Sequence, residues 1–231
     1  MNEFFYNKDF DLGFVCIHKN ASSSILEYIQ KHDFLEIANK QLHLHTTAKF
    51  YYILTNPIDR FAKGLVQIYL EDETCVQINA IYHALAQIDH NELEKFLLLF
   101  LKRIPANTLH NRQQQYVNLG FREDKHTMLQ TKFIQPLLDL NIQTIPVSIK
   151  HVSNFPSILW NDSYIIPKLN TNTMLNSQRL RKCVKKVLLE NKNNGQLDRI
   201  WAWLQADINL WNDNINSKYM IDYHKDDKID T

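Results

Sequence analysis

A chain of 231 residues, 45% hydrophobic and 22% charged, can bury the core of one full domain, and a net charge of +1 gives bulk electrostatics no pull toward nucleic acid or a membrane surface. No apolar run reaches bilayer length, Phe96–Leu101 being far too short, and the opening MNEFFYNKDF lacks the basic-then-apolar pattern of a secretion signal. Three widely spaced cysteines (Cys16, Cys75, Cys183) read as reduced thiols, not as a disulfide frame or a metal site, and four glycines are too few for a glycine-rich phosphate loop of the Walker type.

In chain order, Phe14–Ile17 reads as a buried strand. His18-Lys19 and three serines, Ser22, Ser23 and Ser24, lead from it into an amphipathic helix carrying Ile25, Leu26 and Ile29. Strand, polar turn with a lysine and helix N-terminus form the arrangement that holds a phosphate-like anion, because backbone N–H groups and the helix dipole point at it. One serine is expected to cap the helix. Phe50–Leu54 is a second strand, closed by Thr55-Asn56-Pro57, with a helix following to about Leu70 on the face of Phe61, Leu65, Ile68 and Tyr69. The span 75–102 reads as helical, with Leu93, Phe96, Leu97, Phe100 and Leu101 at helical spacing. Short strand-like pieces fall at 127–130 and 143–147. The stripe Leu197, Ile200, Trp201, Leu204, Ile208 and Trp211 marks a helix over 196–211, and the charged tail at about 224–231 is expected to fray. The pattern predicts one α/β domain over 1–231 with a mostly parallel central sheet. Ligands of such sheets sit at the carboxyl ends of the strands, which puts the turns after Ile17 and Leu54 on one rim.

Three groups could carry chemistry. Lys19 can neutralise an anion or a leaving oxygen, or be an ordinary turn lysine. Arg60 and Lys63 share a helix face and could meet a second anion; alternatively they belong to a solvated face with an Asp59–Lys63 pair. Of ten histidines, His43, His45 and His110 could take a proton from an alcohol, His45 being the choice. The alternation of His43 and His45 has no acidic or cysteine partner at a familiar metal spacing.

Taken together, these stretches resemble the sulfotransferases that use 3′-phosphoadenosine-5′-phosphosulfate, in their carbohydrate branch. CIHKNASSS is similar to the family's 5′-phosphosulfate loop, HTTA (His45–Ala48) to the element before the second strand, and TNPIDRFAK to the 3′-phosphate motif, with Pro57 and Arg60 matching. HNRQQ (His110–Gln114), IPKLN (Ile166–Asn170) and the helix with Asp207 and Trp211 resemble later family elements in the right order. The resemblance implies a P-loop-like three-layer fold with helices flanking the sheet. It also implies a donor site built from Lys19, Asn20, Ala21, Ser22, Ser23, Ser24, Thr55, Arg60 and Lys63.

The resemblance further implies catalysis by Lys19 and His45 without a metal, and transfer of a sulfuryl group to a hydroxyl of a carbohydrate or other small acceptor. Thr55 and Lys63 depart from the family's arginine and serine. Loss of a charge-assisted contact to phosphate is worth about 1.5–3 kcal/mol. Lys63, or the basic run Arg179, Arg181, Lys182, Lys185 and Lys186, could replace it. The same departures fit a degenerate family member that binds a nucleotide or sugar without transfer. A nucleotide kinase would need glycines this chain lacks. With no leader or membrane helix read, a cytoplasmic protein with no nucleic-acid or membrane partner is expected.

Overall fold

The computed structural model describes residues 3–69, 87–103, 128–160, 163–166, 175–220 and 229. The readings at 75–86, His110–Gln114, Pro167–Asn170 and most of the tail lie outside them. The chain is an α/β protein whose contacts divide it into two compact units, one of Met1–Thr55, Leu129–Thr171 and Ala206–Thr231, the other of Asn56–Met128 and Asn172–Gln205. None of the described helices is long and apolar enough to cross a membrane.

The first unit holds a five-stranded mixed sheet: β1 (Phe4–Asn7), β2 (Leu12–Val15), β3 (Leu35–Ile37), β4 (Lys49–Leu54) and β5 (Thr144–Ser148), in the spatial order β3-β1-β2-β4-β5. β2, β4 and β5 run parallel, as expected for their turns to share a rim. β1 pairs antiparallel with both β2 and β3, so the sheet is mixed rather than mostly parallel. The hairpin escaped the sequence reading because its turn, Lys8–Asp11, has no Asn-Gly or Asp-Gly signal; Asn7 Oδ1 closes it by accepting from Asp9 N and Phe10 N. Pro146 is tolerated in β5 because that strand is an edge.

One face of the sheet (Phe5, Phe14, Tyr51, Ile53, Val147) packs on Ile25, Tyr28 and Ile29 of α1 (Ser22–Lys31) and on Phe155 of α5 (Phe155–Trp160). On the other face the Phe50 ring lies across Gly13, its partner in register on β2. A Cβ on Gly13 would sit 2.2 Å from that ring. Gly13→Ala is therefore expected to destabilise by about 1–3 kcal/mol through overpacking, read as a lower urea midpoint.

The second unit is helical: α2 (Pro57–Tyr69), α3 (His90–Arg103), α6 (Leu175–Glu190) and the first part of α7 (Asp198–Asn214). Pro57 opens α2 as its Asn-Pro start predicts, and Asn56 Oδ1 caps the first turn by accepting from Ile58 N and Asp59 N. The expected stripe of α7 is buried from Leu197 to Trp211. The strand-like reading at 127–130 is corrected. Met128 and Leu129 are not in a strand, and Gln130 starts a helix, α4 (Gln130–Asp139), in the first unit. Its first N–H groups find an acceptor that is distant in sequence, the carboxylate of Asp207.

Candidate functional site

β2 and β4 lie side by side and parallel, so the turns that leave their carboxyl ends are neighbours. In the first turn the backbone of Lys19 has φ 68° and that of Ala21 φ 58°, both left-handed. Among the described residues the other non-glycine positions with positive φ are Asp11, Asp33 and Asn141, types whose side chains tolerate that region. A lysine and an alanine do not; each costs roughly 1–2 kcal/mol there. Asn20 N closes the turn by donating to the Ile17 carbonyl at 3.1 Å, and the N–H groups that can face an anion are those at the start of the following helix. α1 begins immediately afterwards, and its cap is Ala21, which has no oxygen to offer the first turn. The expected serine cap is therefore absent: Ser22, Ser23 and Ser24 occupy the first turn itself, Ser24 buried and the others half-buried. Lys19 is half-buried beside them.

The residue between the two strained positions holds them. Asn20 is buried; its Nδ2 donates to the Ile53 carbonyl and to Gln130 Oε1, both at 2.6 Å, and its Oδ1 accepts from Thr55 Oγ1 at 2.9 Å. Gln130 completes the clasp: Oε1 accepts from Thr55 N and Nε2 donates to the Thr55 carbonyl. Asp207, also buried, accepts from Gln130 N at 2.7 Å, Thr131 N at 2.9 Å and Thr131 Oγ1 at 3.1 Å. A carboxylate at a helix start satisfies orphan donors and the dipole together. Burial, with the Asp207 carboxylate second, pushes the Tyr52 phenol well above its ordinary value. Sequence reading missed this role of Asn20, Gln130 and Asp207, because no local spacing links positions so far apart.

The remaining predicted residues are distributed as follows. Thr55 is buried and its hydroxyl is engaged with Asn20, so it braces the turn. Arg60 and Lys63 belong to the second unit. Arg60 is buried and its guanidinium donates to the Met128 carbonyl. Asp59 pairs with Lys185 at 2.7 Å, not with Lys63. Burial holds the Lys63 ammonium below the ordinary lysine value; Asp59 opposes that shift, while Arg181 and Lys185 reinforce it.

A group with a depressed folded value binds fewer protons than the unfolded chain as pH climbs from that value toward 10.5, so Lys63 makes stability rise over that window. Lys63→Met should abolish this rise and leave stability at neutral pH equal or higher, measured by urea unfolding across alkaline pH.

His45 is brought to the wrong rim. It ends the turn Asn39–His45 that precedes β4, and its ring lies 4.2 Å from that of Tyr6. Tyr6 pairs with Gly13, which stands four residues before Ile17, about 13 Å along the strand direction. A base must come within about 3 Å of its proton, directly or through one water, so His45 cannot serve a group bound at Lys19. Among the described histidines, His18 stands in the Lys19 turn, near Phe133 of α4, and His151 in the turn Ile149–Asn154 after β5. Cys16 and Cys183 are buried thiols outside any disulfide.

No family model, curated protein or solved structure matches the chain.

Proposed function

We propose that the protein is a sulfotransferase that moves a sulfuryl group from 3′-phosphoadenosine-5′-phosphosulfate to a hydroxyl acceptor, a carbohydrate by the sequence resemblance. The observation that carries this reading is the turn Lys19–Ala21: two residues ill-suited to left-handed backbone, held there by a buried clasp, at the uncapped start of a helix. Strain of this kind persists where surrounding structure over-determines it, and it clusters at ligand sites. In this reading the Ser22–Ser24 turn, with its hydroxyls and backbone N–H groups, holds the 5′-phosphate, and Lys19 neutralises the bridging oxygen as the S–O bond breaks and the acceptor oxygen attacks sulfur in line.

Among the described histidines, the base is then taken from His18 and His151. Replacing the operative one by asparagine should lower transfer by roughly 100–10,000-fold, whereas His45→Asn should leave the rate within about twofold. A transfer assay on the three variants checks the assignment.

Titration calorimetry with 3′-phosphoadenosine-5′-phosphate tests the function itself. Micromolar binding, with sulfate transfer to a sugar acceptor, supports it. The engagement of Thr55 within the clasp favours a second reading, a degenerate member without 3′-phosphate recognition. Absence of both binding and transfer would overturn the proposed donor and leave a degenerate member, or one with a different donor.

A further inference from the structure

The second unit carries a cluster unconnected with the Lys19 turn. His90 and Glu94, one turn apart on α3, face Cys183 of α6, and one ligand atom from each lies within 4.8 Å of the others. His90 Nε2 is 2.8 Å from Glu94 Oε1, and His90 Nδ1 is 3.5 Å from Cys183 Sγ. Thiol, imidazole and carboxylate in this order also resemble a nucleophile with its base and orienting acid. That role fails on access. Cys183 is 0% exposed, and burial, with Glu94 second, pushes its thiol up rather than activating it. No substrate reaches the sulfur; an ion reaches it by displacing the His90 ring, whose side chain is 55% exposed.

We propose that His90, Glu94 and Cys183 bind a zinc ion that clips α3 to α6, with water as its fourth ligand. Nitrogen, oxygen and sulfur donors suit this borderline-soft ion, and three protein ligands plus water is a count zinc accepts. Donors around a tetrahedral zinc stand about 3.3–3.7 Å apart; because the imidazole offers Nε2 to Glu94 and Nδ1 to Cys183, its ring must turn so that one nitrogen faces both partners across the ion. Binding displaces the Cys183 thiol proton to solvent, and the thiolate with the Glu94 carboxylate balances the dication. The competitor is Lys186, whose ammonium holds Glu94 at 2.7 and 3.0 Å. Glu190, 3.8 Å from the same ammonium, can receive it when Glu94 turns to the metal.

Titration of the full-length protein with cobalt(II) as the probe, followed by zinc competition, tests this. The expected result is one equivalent bound, with a thiolate-to-cobalt charge-transfer band in the near ultraviolet that is lost in Cys183→Ser. His90→Asn and Glu94→Gln should each weaken zinc by more than the roughly 10–100-fold that losing an outer-shell partner costs. Lys186→Met should tighten it. Should Cys183→Ser fail to fold, the exposed position His90 carries the test. Absence of the band, its survival in Cys183→Ser, unaltered affinity in His90→Asn, or a Lys186→Met protein that binds no more tightly would each overturn the proposal. None of these results bears on the Lys19 turn.

Discussion

On the proposed function, Lys19→Ala is expected to lower sulfate transfer by roughly 100–1,000-fold while the protein unfolds at the same urea concentration as the parent. The magnitude is that of removing one preorganised electrostatic contact to charge that develops in the transition state. Stability should hold because alanine fits left-handed backbone no better than lysine, so the strain of the turn is unaltered. Glycine separates the two roles of the position. Lys19→Gly should be equally inactive but more stable, by up to about 1 kcal/mol, because glycine adopts positive φ without a Cβ penalty. Ala21→Gly should gain similar stability and keep its activity, glycine being also the better residue at a helix N-cap. Transfer at the parental rate in Lys19→Ala would remove the lysine from the reaction. A loss of stability in both glycine variants would mean that the turn is not strained, and the feature that points to an anion would go with it.

The parts of this fold that rest on near neighbours in sequence were legible. The β2 turn, β4, the Asn-Pro start of α2, β5 and the stripe of α7 all follow from local periodicity and punctuation. So did the shared rim, since parallel strands with helical crossovers leave no other place for their carboxyl-end turns. What failed depends on contacts that span the chain. Gln130 joins α4 because Asp207, 77 positions away, accepts from its N–H. Thr55, which the resemblance put against a phosphate, lies in the same clasp, and a hydroxyl in a one-dimensional string carries no sign of whether it will be buried. His45 was chosen for its place before a strand, but that place is the amino end, opposite the rim where ligands sit. The His90–Glu94–Cys183 cluster was invisible for the same reason: the cysteine comes from a helix 89 positions beyond Glu94.

Asn20→Ala should cost about 3 kcal/mol, the largest stability loss expected of any single change at the rim. The side chain makes two donations and one acceptance, all buried. Alanine takes a donor from the Ile53 carbonyl and from Gln130 Oε1 and leaves the Thr55 hydroxyl only its longer bond to Gln130 Oε1 at 3.3 Å, and a buried group left unmatched costs roughly 1–3 kcal/mol. At about 2–4 °C per kcal/mol for a chain of this size, the melting point should fall by about 6–12 °C. Donor binding should fall with it, since Lys19 and Ala21 lose the clamp between them.

Asn20→Asp distinguishes the clasp from simple packing. It keeps the shape but puts a carboxylate oxygen where Nδ2 donates, facing the Ile53 carbonyl and Gln130 Oε1, so three acceptors meet without a proton. If volume alone mattered, aspartate would be the milder change; with the clasp intact as drawn, it should be at least as damaging as alanine. Thr55→Val removes the other end of one bond and should cost about 1–3 kcal/mol by leaving Asn20 Oδ1 unmatched. The two changes share that bond, so Asn20→Ala/Thr55→Val should be less destabilised than the sum of the single variants, by about 0.5–3 kcal/mol in a double-mutant cycle. Additive losses would show that Asn20 and Thr55 act separately, and the strained turn would then lack the support that lets it wait, already shaped, for an anion.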